Sequence, residues 1–182
     1  MLKRILTDSL LRVILPDIDR DLAEQMRARG CSRCGATLHS ACYPRKPRCM
    51  GALGADWSTR LSFCCAREGC RRRHTPPSVR FLRRRLFPTI VIILATTLTQ
   101  GITARRRRTL EAALGVDRRT LSRWRQWWRD VFAESAFWKE VRARFIPSPD
   151  VSELPGSLLS RFGTLDRRRI VDLLRFLEPI SI

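Results

Sequence analysis

The chain has 182 residues, with 36 Lys or Arg against 17 Asp or Glu, and its formal net charge is +19. This charge argues against a generic acidic or neutral enzyme and favours a polyanionic partner, either nucleic acid or an anionic membrane surface. The excess is uneven: residues 31–133 carry +17, whereas residues 1–30 and residues 134–182 carry +1 each. We therefore expect the middle of the chain to contact the partner and the two ends to be scaffold or protein-contact surfaces.

The first 30 residues have the apolar spacing of helices. Apolar residues recur every three or four positions in Leu2–Leu15, and Pro16 is expected to end this helix. Asp17–Arg29 is predicted to be a second helix, with Asp17 as its N-cap and Gly30 just beyond its end.

All seven cysteines fall within residues 31–70, which is unusual for buried packing residues and typical of metal ligands. Two pairs have ligand spacing, one with two intervening residues and one with four, and each has a glycine at its turn. Four thiolates leave no open coordination position, so the pattern predicts one structural Zn²⁺ in a small β zinc ribbon. The predicted ligands are Cys31, Cys34, Cys65 and Cys70.

Two other residues are alternative ligands. Cys64 neighbours Cys65, but successive strand residues point to opposite faces, which favours Cys65. His74 lies at ligand spacing after the second pair, although the following Thr-Pro-Pro predicts an extended strand leaving the site. Replacement of a named ligand by either residue stays open. Cys42 and Cys49 lie in an insertion and have no partner at ligand spacing.

The longest apolar run is Leu86–Leu98. It is shorter than the roughly 18–20 residues that a membrane-spanning helix needs, and arginines flank it on both sides. We predict a buried helix rather than a membrane segment, and no membrane partner.

The segment 103–132 has the pattern of a helix-turn-helix. One helix is expected to end at Gly115, and Asp117 is expected to cap the next one. Val116 and Leu121 have the spacing of a hydrophobic staple across that cap. A helix, a glycine-containing turn and a capped helix together predict a DNA-binding unit.

The second helix of this unit is predicted to have two different faces. At 100° per residue, one face is apolar and aromatic, with Trp124, Trp128, Val131 and Phe132 among its members. Arginine can pair with guanine and glutamine with adenine in the major groove, and the first residues of such a helix reach furthest. The predicted DNA contacts on the opposite face are Arg118, Arg119, Ser122, Arg123, Gln126 and Arg129. Predicted phosphate contacts at the start of the preceding helix are Arg105, Arg106, Arg107 and Arg108.

The combination resembles the DNA-binding part of bacterial insertion-sequence transposases, several of which join an N-terminal zinc ribbon to a helix-turn-helix. The residues that carry the resemblance are Cys31-x-x-Cys34-Gly35, the run from Phe63 to Arg73, and Leu110–Trp128. The resemblance implies DNA recognition. Such families usually carry a catalytic acidic triad in a separate RNase H-like domain, but no αβ pattern follows Phe132. We therefore predict no catalytic residue and no enzymatic activity.

The predicted fold class is mainly α with a small β zinc ribbon. A three-helix helix-turn-helix domain and helical N- and C-terminal segments complete it. The predicted domains are an N-terminal helical segment at 1–30, the zinc ribbon at 31–80, the helix-turn-helix domain at 81–133 and a C-terminal helical tail at 134–182.

The predicted function is non-enzymatic binding of duplex DNA through the structural zinc ribbon and the basic helix-turn-helix, as an accessory or DNA-recognition component of a mobile element. Alternatives are a transcription regulator and an RNA-binding subunit of a ribonucleoprotein. The tail is expected to bind a transposase, another protein or a second copy of the chain. Its apolar spacing at Ile170, Leu173, Leu174 and Leu177 fits such an interface and fits equally a packed helix. The charged residues of the N-terminus interrupt any secretory leader, so the expected location is the cytoplasm, in association with the nucleoid.

Overall fold

The computed structural model describes residues 5, 7–48, 54–82, 87–98, 103–163 and 166–181. This part of the chain is mostly helical and contains small antiparallel sheets, which agrees with the predicted class. Two compact units are distinguished, one of Met1–Pro88 with Arg175–Ile182 and the other of Thr89–Leu174. The cysteines therefore belong to the first unit, and the basic helices belong to the second.

Helix α1 runs without interruption from Ser9 to Arg29, so the expected stop at Pro16 is wrong. Asp8 is the N-cap, and its carboxylate accepts hydrogen bonds from two backbone N–H groups at 2.9 and 3.1 Å; Asp17 is therefore inside the helix. Pro16 is buried on the same helix as Leu15 and other apolar residues. Burial of this face offsets the backbone hydrogen bond that proline removes, so the helix continues.

Short strands follow α1. The three-stranded antiparallel sheet has the order β1-β4-β5, and β2 pairs with β3 in a second antiparallel sheet. The strands are β1 (Leu38–Ser40), β2 (Tyr43–Pro44), β3 (Thr59–Arg60), β4 (Phe63–Cys65) and β5 (Arg73–His74). Helix α2 (Ala55–Ser58) precedes β3 and contains the buried Trp57.

A buried ion pair fastens the segment after β5 to α1. Arg80 Nε donates to Asp19 Oδ2 at 2.7 Å, and both side chains are at most 1% exposed. The other nitrogens of Arg80 donate to the carbonyls of Trp57 and Thr59, at 2.9 and 3.1 Å. The Val79 N–H donates to Asp19 Oδ1 at 2.7 Å. These hydrogen bonds satisfy both charged groups inside the first unit.

The second unit begins with the apolar helix α3. Its residues Thr89–Thr96 are buried, and it contacts α5 and α7, as expected for a buried helix. None of the helices in the described residues is long and apolar enough to cross a membrane. The helices from here on are α3 (Thr89–Leu98), α4 (Ala104–Leu114), α5 (Arg118–Gln126), α6 (Ala136–Val141), α7 (Gly156–Arg161) and α8 (Arg167–Leu177).

The four tail residues with this apolar spacing are buried inside the chain. Ile170, Leu173 and Leu174 line a small apolar cavity together with residues of α3 and α7, and Leu177 is also buried. The sequence allowed this spacing to form either a partner interface or a helix packed within the chain, and the structure has the packed helix. A partner surface on the tail would consist of other residues.

Candidate functional site

The four predicted ligand cysteines lie together. The Sγ atoms of Cys31, Cys34, Cys65 and Cys70 are all within 4.8 Å of one another. Two of the distances are 3.8 Å, between Cys31 and Cys70, and 3.5 Å, between Cys34 and Cys65. Tetrahedral metal–sulfur bonds of about 2.3 Å imply sulfur–sulfur distances of about 3.8 Å. The cluster could therefore hold one metal ion.

The first cysteine pair is positioned by the end of α1. Gly30 ends the helix with φ +73°, a left-handed conformation that suits glycine. The knuckle then closes through two backbone hydrogen bonds of 2.8 Å, from Gly35 N–H to Cys31 O and from Cys31 N–H to Ala36 O. A Cβ at Gly30 would lie 2.9 Å from the Gly35 carbonyl oxygen, so the close approach also requires glycine.

The second pair is positioned by the sheet. Cys65 is on β4 opposite Leu38 of β1, and its N–H donates to the Arg72 carbonyl at 2.9 Å. The turn that follows brings Cys70 back, with its N–H 3.2 Å from the Arg67 carbonyl. Because β1 begins shortly after the first knuckle, the β1–β4 pairing brings the two knuckles together.

Burial and backbone N–H donors shift the pKa of the cluster thiols in opposite directions. Burial, with smaller contributions from the neighbouring thiols, raises the pKa of Cys65 to about 12, although the Arg67 N–H lowers it. The pKa of Cys31 is lowered to about 6, chiefly because the Arg33 N–H donates to its sulfur, with help from Cys34 N–H and the His74 ring against the effect of burial. Four thiolates this close together need a cation to balance their negative charge, and a bound metal ion would supply it.

Neither alternative ligand belongs to the group of four sulfurs. Cys64 Sγ donates to the Arg71 carbonyl at 3.3 Å, and only Cys65 of this neighbouring pair belongs to the cluster. His74 Nε2 is 3.3 Å from Cys31 Sγ, so His74 contacts a ligand sulfur from outside the group of four. Cys42 is exposed and also outside it, while Cys49 lies outside the described residues.

Sequence reasoning missed this contact of His74. The contact follows from the antiparallel pairing of β5 with β4, in which His74 lies opposite Phe63. Because Phe63 is on the same side of β4 as Cys65, the pairing brings His74 to the cysteine side of the sheet.

The turn between α4 and α5 has the predicted caps. Gly115 has φ +57°, and the N–H groups of Val116 and Gly115 donate to the Glu111 and Ala112 carbonyls at 3.0 and 3.3 Å. This pair of bonds closes the end of α4 as in a Schellman motif. Asp117 begins α5, and its carboxylate accepts hydrogen bonds from the N–H and hydroxyl of Thr120.

The interior face of α5 and of the helical segment that continues it to Phe132 is aromatic, as predicted, with Val131 as the exposed exception. Leu121, Trp124, Trp128 and Phe132 are buried, whereas Val131 is 49% exposed. The backbone widens into a π-helix over Trp127–Phe132. Its i→i+5 hydrogen bonds change the phase of the following residues, so the 100° spacing failed for Val131.

The predicted DNA contacts on α5 and on the π-helix that follows it are all exposed. They are Arg118, Arg119, Ser122, Arg123, Gln126 and Arg129. Arg123 Nη2 also donates to the Thr120 hydroxyl at 3.1 Å, which links this arginine to the helix cap.

The arginines at the start of α4 do not share one environment. Arg105 and Arg108 are exposed, and Arg107 is half-buried with its Nε 3.8 Å from Glu111 Oε1. The side chain of Arg106 lies outside the described residues. Arg125 of α5 was not predicted as a contact. Burial lowers its pKa, and the positive charges of Arg107 and Arg129 lower it further.

Part of the central positive charge is not on the surface. Arg60 is 3% exposed and Arg80 2%. Arg60 Nη2 donates to the Pro76 carbonyl at 2.5 Å, and burial lowers the pKa of this guanidinium. Counting charges along the sequence therefore overstates the charge available to a partner.

The described residues define a mainly helical protein with a four-cysteine cluster that could hold a metal ion. Comparisons of the chain with protein-family models, with curated proteins and with solved structures found no match.

Proposed function

We propose that the protein is a non-enzymatic DNA-binding protein with one structural Zn²⁺. The zinc is held by the four clustered cysteines, and duplex DNA is bound by α5, the second helix of a three-helix helix-turn-helix domain made of α3, α4 and α5. The observation that carries the proposal is the exposed polar face of α5. The opposite face of this helix is apolar and buried, and the helix begins at a capped turn.

The α5 face fits the major groove in composition and direction. Arg118, Arg119, Ser122 and Arg123 lie in the first two turns, where a recognition helix approaches base edges most closely. The neighbouring Arg105 and Arg108 at the start of α4 are exposed and would bind phosphates. Glu111 is the acidic residue of α4 and is paired with Arg107, so it leaves the face of α5 positive.

A competition experiment tests the DNA partner. Duplex sequences are first selected from a random pool, and a labelled selected duplex is then displaced by unlabelled random duplex, single strands or structured RNA of equal length. We expect the selected duplex to bind at least about tenfold more tightly than the others. Stronger binding of structured RNA would instead support the ribonucleoprotein alternative and contradict the proposal.

Two substitutions on α5 test the base contacts. Arg119→Ala and Arg123→Ala should each weaken binding to the selected duplex by about 1–3 kcal/mol and weaken binding to random duplex much less. Arg144→Ala, an exposed arginine of the tail, is the matched control. Equal losses on selected and random duplexes would show that these arginines contact phosphate alone.

Metal analysis of the purified protein tests the zinc. We expect one equivalent of zinc, absent from Cys31→Ser and from Cys70→Ser but retained in Cys42→Ser, because Cys42 lies outside the cluster. Chelation should also unfold the ribbon, since a structural site supplies folding free energy. A folded protein that contains no metal would contradict the zinc proposal and leave the DNA proposal standing.

The biological role belongs to the same proposal. DNA binding without a catalytic group fits an accessory or recognition component of a mobile element, with a transposase as a candidate partner of the tail, and fits association with the nucleoid. A transcription regulator would bind DNA in the same way. The mobile-element role predicts that genes near the selected sites are mobilised, whereas the transcription-regulator role predicts that they are regulated.

A further inference from the structure

Exposed arginines lie close to the clustered cysteines along the chain, and they are not part of the proposed DNA-reading helix. Each lies within three residues of a clustered cysteine along the chain, and each is exposed. We call this group the ribbon rim. Its members are Arg33, Arg67, Arg71, Arg72 and Arg73.

The ribbon rim has more positive charge than its surroundings neutralise. Within the described residues, no salt bridge includes any of the five guanidinium groups. Arg73 covers the Tyr43 ring at 5.5 Å. A divalent metal with four thiolates is a dianion, and the exposed Glu68 beside Arg67 adds one negative charge, so the five arginines still exceed the negative charge around them.

The two knuckles hold two members of the rim near the same point. The backbone N–H of Arg33 donates to the Cys31 sulfur, and that of Arg67 donates to the Cys65 sulfur. These sulfurs belong to one cluster whose ligand atoms all lie within 4.8 Å of one another. The two arginines are therefore held close to the same point, with their side chains in solvent.

The backbone at Arg71 is a second, independent observation. Arg71 has φ +42°, a left-handed conformation that residues with a Cβ adopt at a cost. Its carbonyl accepts the Cys64 thiol at 3.3 Å, so the local structure holds this conformation. Glycine would take it without strain. An arginine at a position that suits glycine indicates a use for its side chain.

We propose that the ribbon rim binds the phosphate backbone of duplex DNA, as a contact surface additional to α5. This inference rests on the proposed DNA-binding function. Guanidinium groups pair with phosphate oxygens through two parallel hydrogen bonds. Single strands are usually held by stacking on aromatic side chains, and the described ribbon residues have no exposed Phe, Trp or Tyr. The rim contributes affinity and salt dependence, and α5 contributes sequence preference.

The triple variant R67Q/R71Q/R72Q tests the rim in the full-length protein. Binding to the selected duplex and to a random duplex is measured between about 50 and 200 mM salt. The slope of log K against log salt is negative, and we expect its magnitude to decrease by up to about 0.9 for each phosphate group that the variant no longer binds, with affinity falling equally on both duplexes. Metal content equal to that of the parent shows that the cluster is intact.

The matched control removes the same number of charges elsewhere. R144Q/R161Q/R168Q replaces three exposed tail arginines and should leave the slope nearly unchanged. An unchanged slope in the rim variant, or an equal decrease in the control, would overturn the inference about the rim. So would a rim variant that loses affinity for structured RNA alone. The proposed function is upheld in these cases if the parent binds duplex DNA, whereas a parent that binds no duplex DNA refutes both proposals.

Arg71→Gly separates binding from stability. Relief of the left-handed strain should keep the melting temperature at or above that of the parent, while the salt slope still decreases. A lower melting temperature with an unchanged slope would show that Arg71 serves the fold and not the DNA.

Discussion

At the scale of single residues, the cysteine cluster depends on a neighbour that the spacing of cysteines does not reveal. His74 Nε2 lies 3.3 Å from Cys31 Sγ and helps to lower the pKa of that thiol. Residues in this position around a metal orient the ligand and stabilise its charged form. His74 is thus a positioning residue of the proposed zinc site.

His74→Ala should weaken the affinity for zinc by about 10–100-fold without removing the metal at saturation. The measurement is competition with a chromophoric chelator. His74→Gln, which keeps a donor, should restore part of the affinity, and His39→Ala changes the exposed histidine of β1 as a control. Complete loss of zinc in His74→Ala, with zinc retained in Cys31→Ser, would make His74 the ligand.

At the scale of elements, α5 owes its start to Asp117. Hydrogen bonds from the Thr120 N–H, and then from the Thr120 hydroxyl, hold the pKa of this carboxyl below its usual value. A lowered folded-state pKa means that the cap stabilises the helix fully above the ordinary aspartate pKa. The stabilisation is lost as pH falls through the lowered pKa of the folded protein.

Asp117→Ala should therefore lower the melting temperature at neutral pH, whereas Asp117→Asn, which can also cap, should lower it less. The difference between parent and Asp117→Ala should shrink towards acidic pH, as followed by circular dichroism. Asp130→Ala replaces an exposed acid of the adjoining π-helix and should have little effect. A difference that is independent of pH would show that the carboxylate does not act as the cap.

At the scale of the whole molecule, the first unit is held together by charges that the sequence suggests are on the surface. The Asp19–Arg80 pair joins α1 to the segment after β5, which are distant in the chain. Removing one partner of such a pair leaves a buried charge without compensation, so the cost is large even where the pair itself contributes little.

Arg80→Met should lower the free energy of unfolding by about 3–5 kcal/mol, as measured by urea denaturation of the zinc-loaded protein. Arg20→Met is the matched control, because Arg20 pairs with Asp17 on the exposed side of α1. Its cost should be about 0–1 kcal/mol. Equal costs in the two variants would contradict the assigned importance of the buried pair.

The sequence by itself determined the features that depend on neighbouring residues. The Cys31-x-x-Cys34 spacing, the glycine turn at Gly115 and the cap at Asp117 each need only a few residues and their local hydrogen bonds. The alternation along β4 likewise distinguished Cys65 from Cys64, because a strand sends successive side chains to opposite faces. These predictions agree with the structure for that reason.

Tertiary structure decided what depends on distant residues. Burial of one face lets α1 continue past Pro16, and the π-helix leaves Val131 exposed to solvent. Strand pairing brings His74 into contact with Cys31. Distant partners also buried Arg80, so charges counted along the sequence were not all available to a ligand. Each outcome depends on contacts that form only when the chain folds, and their free energies exceed the local preferences from which the sequence was interpreted.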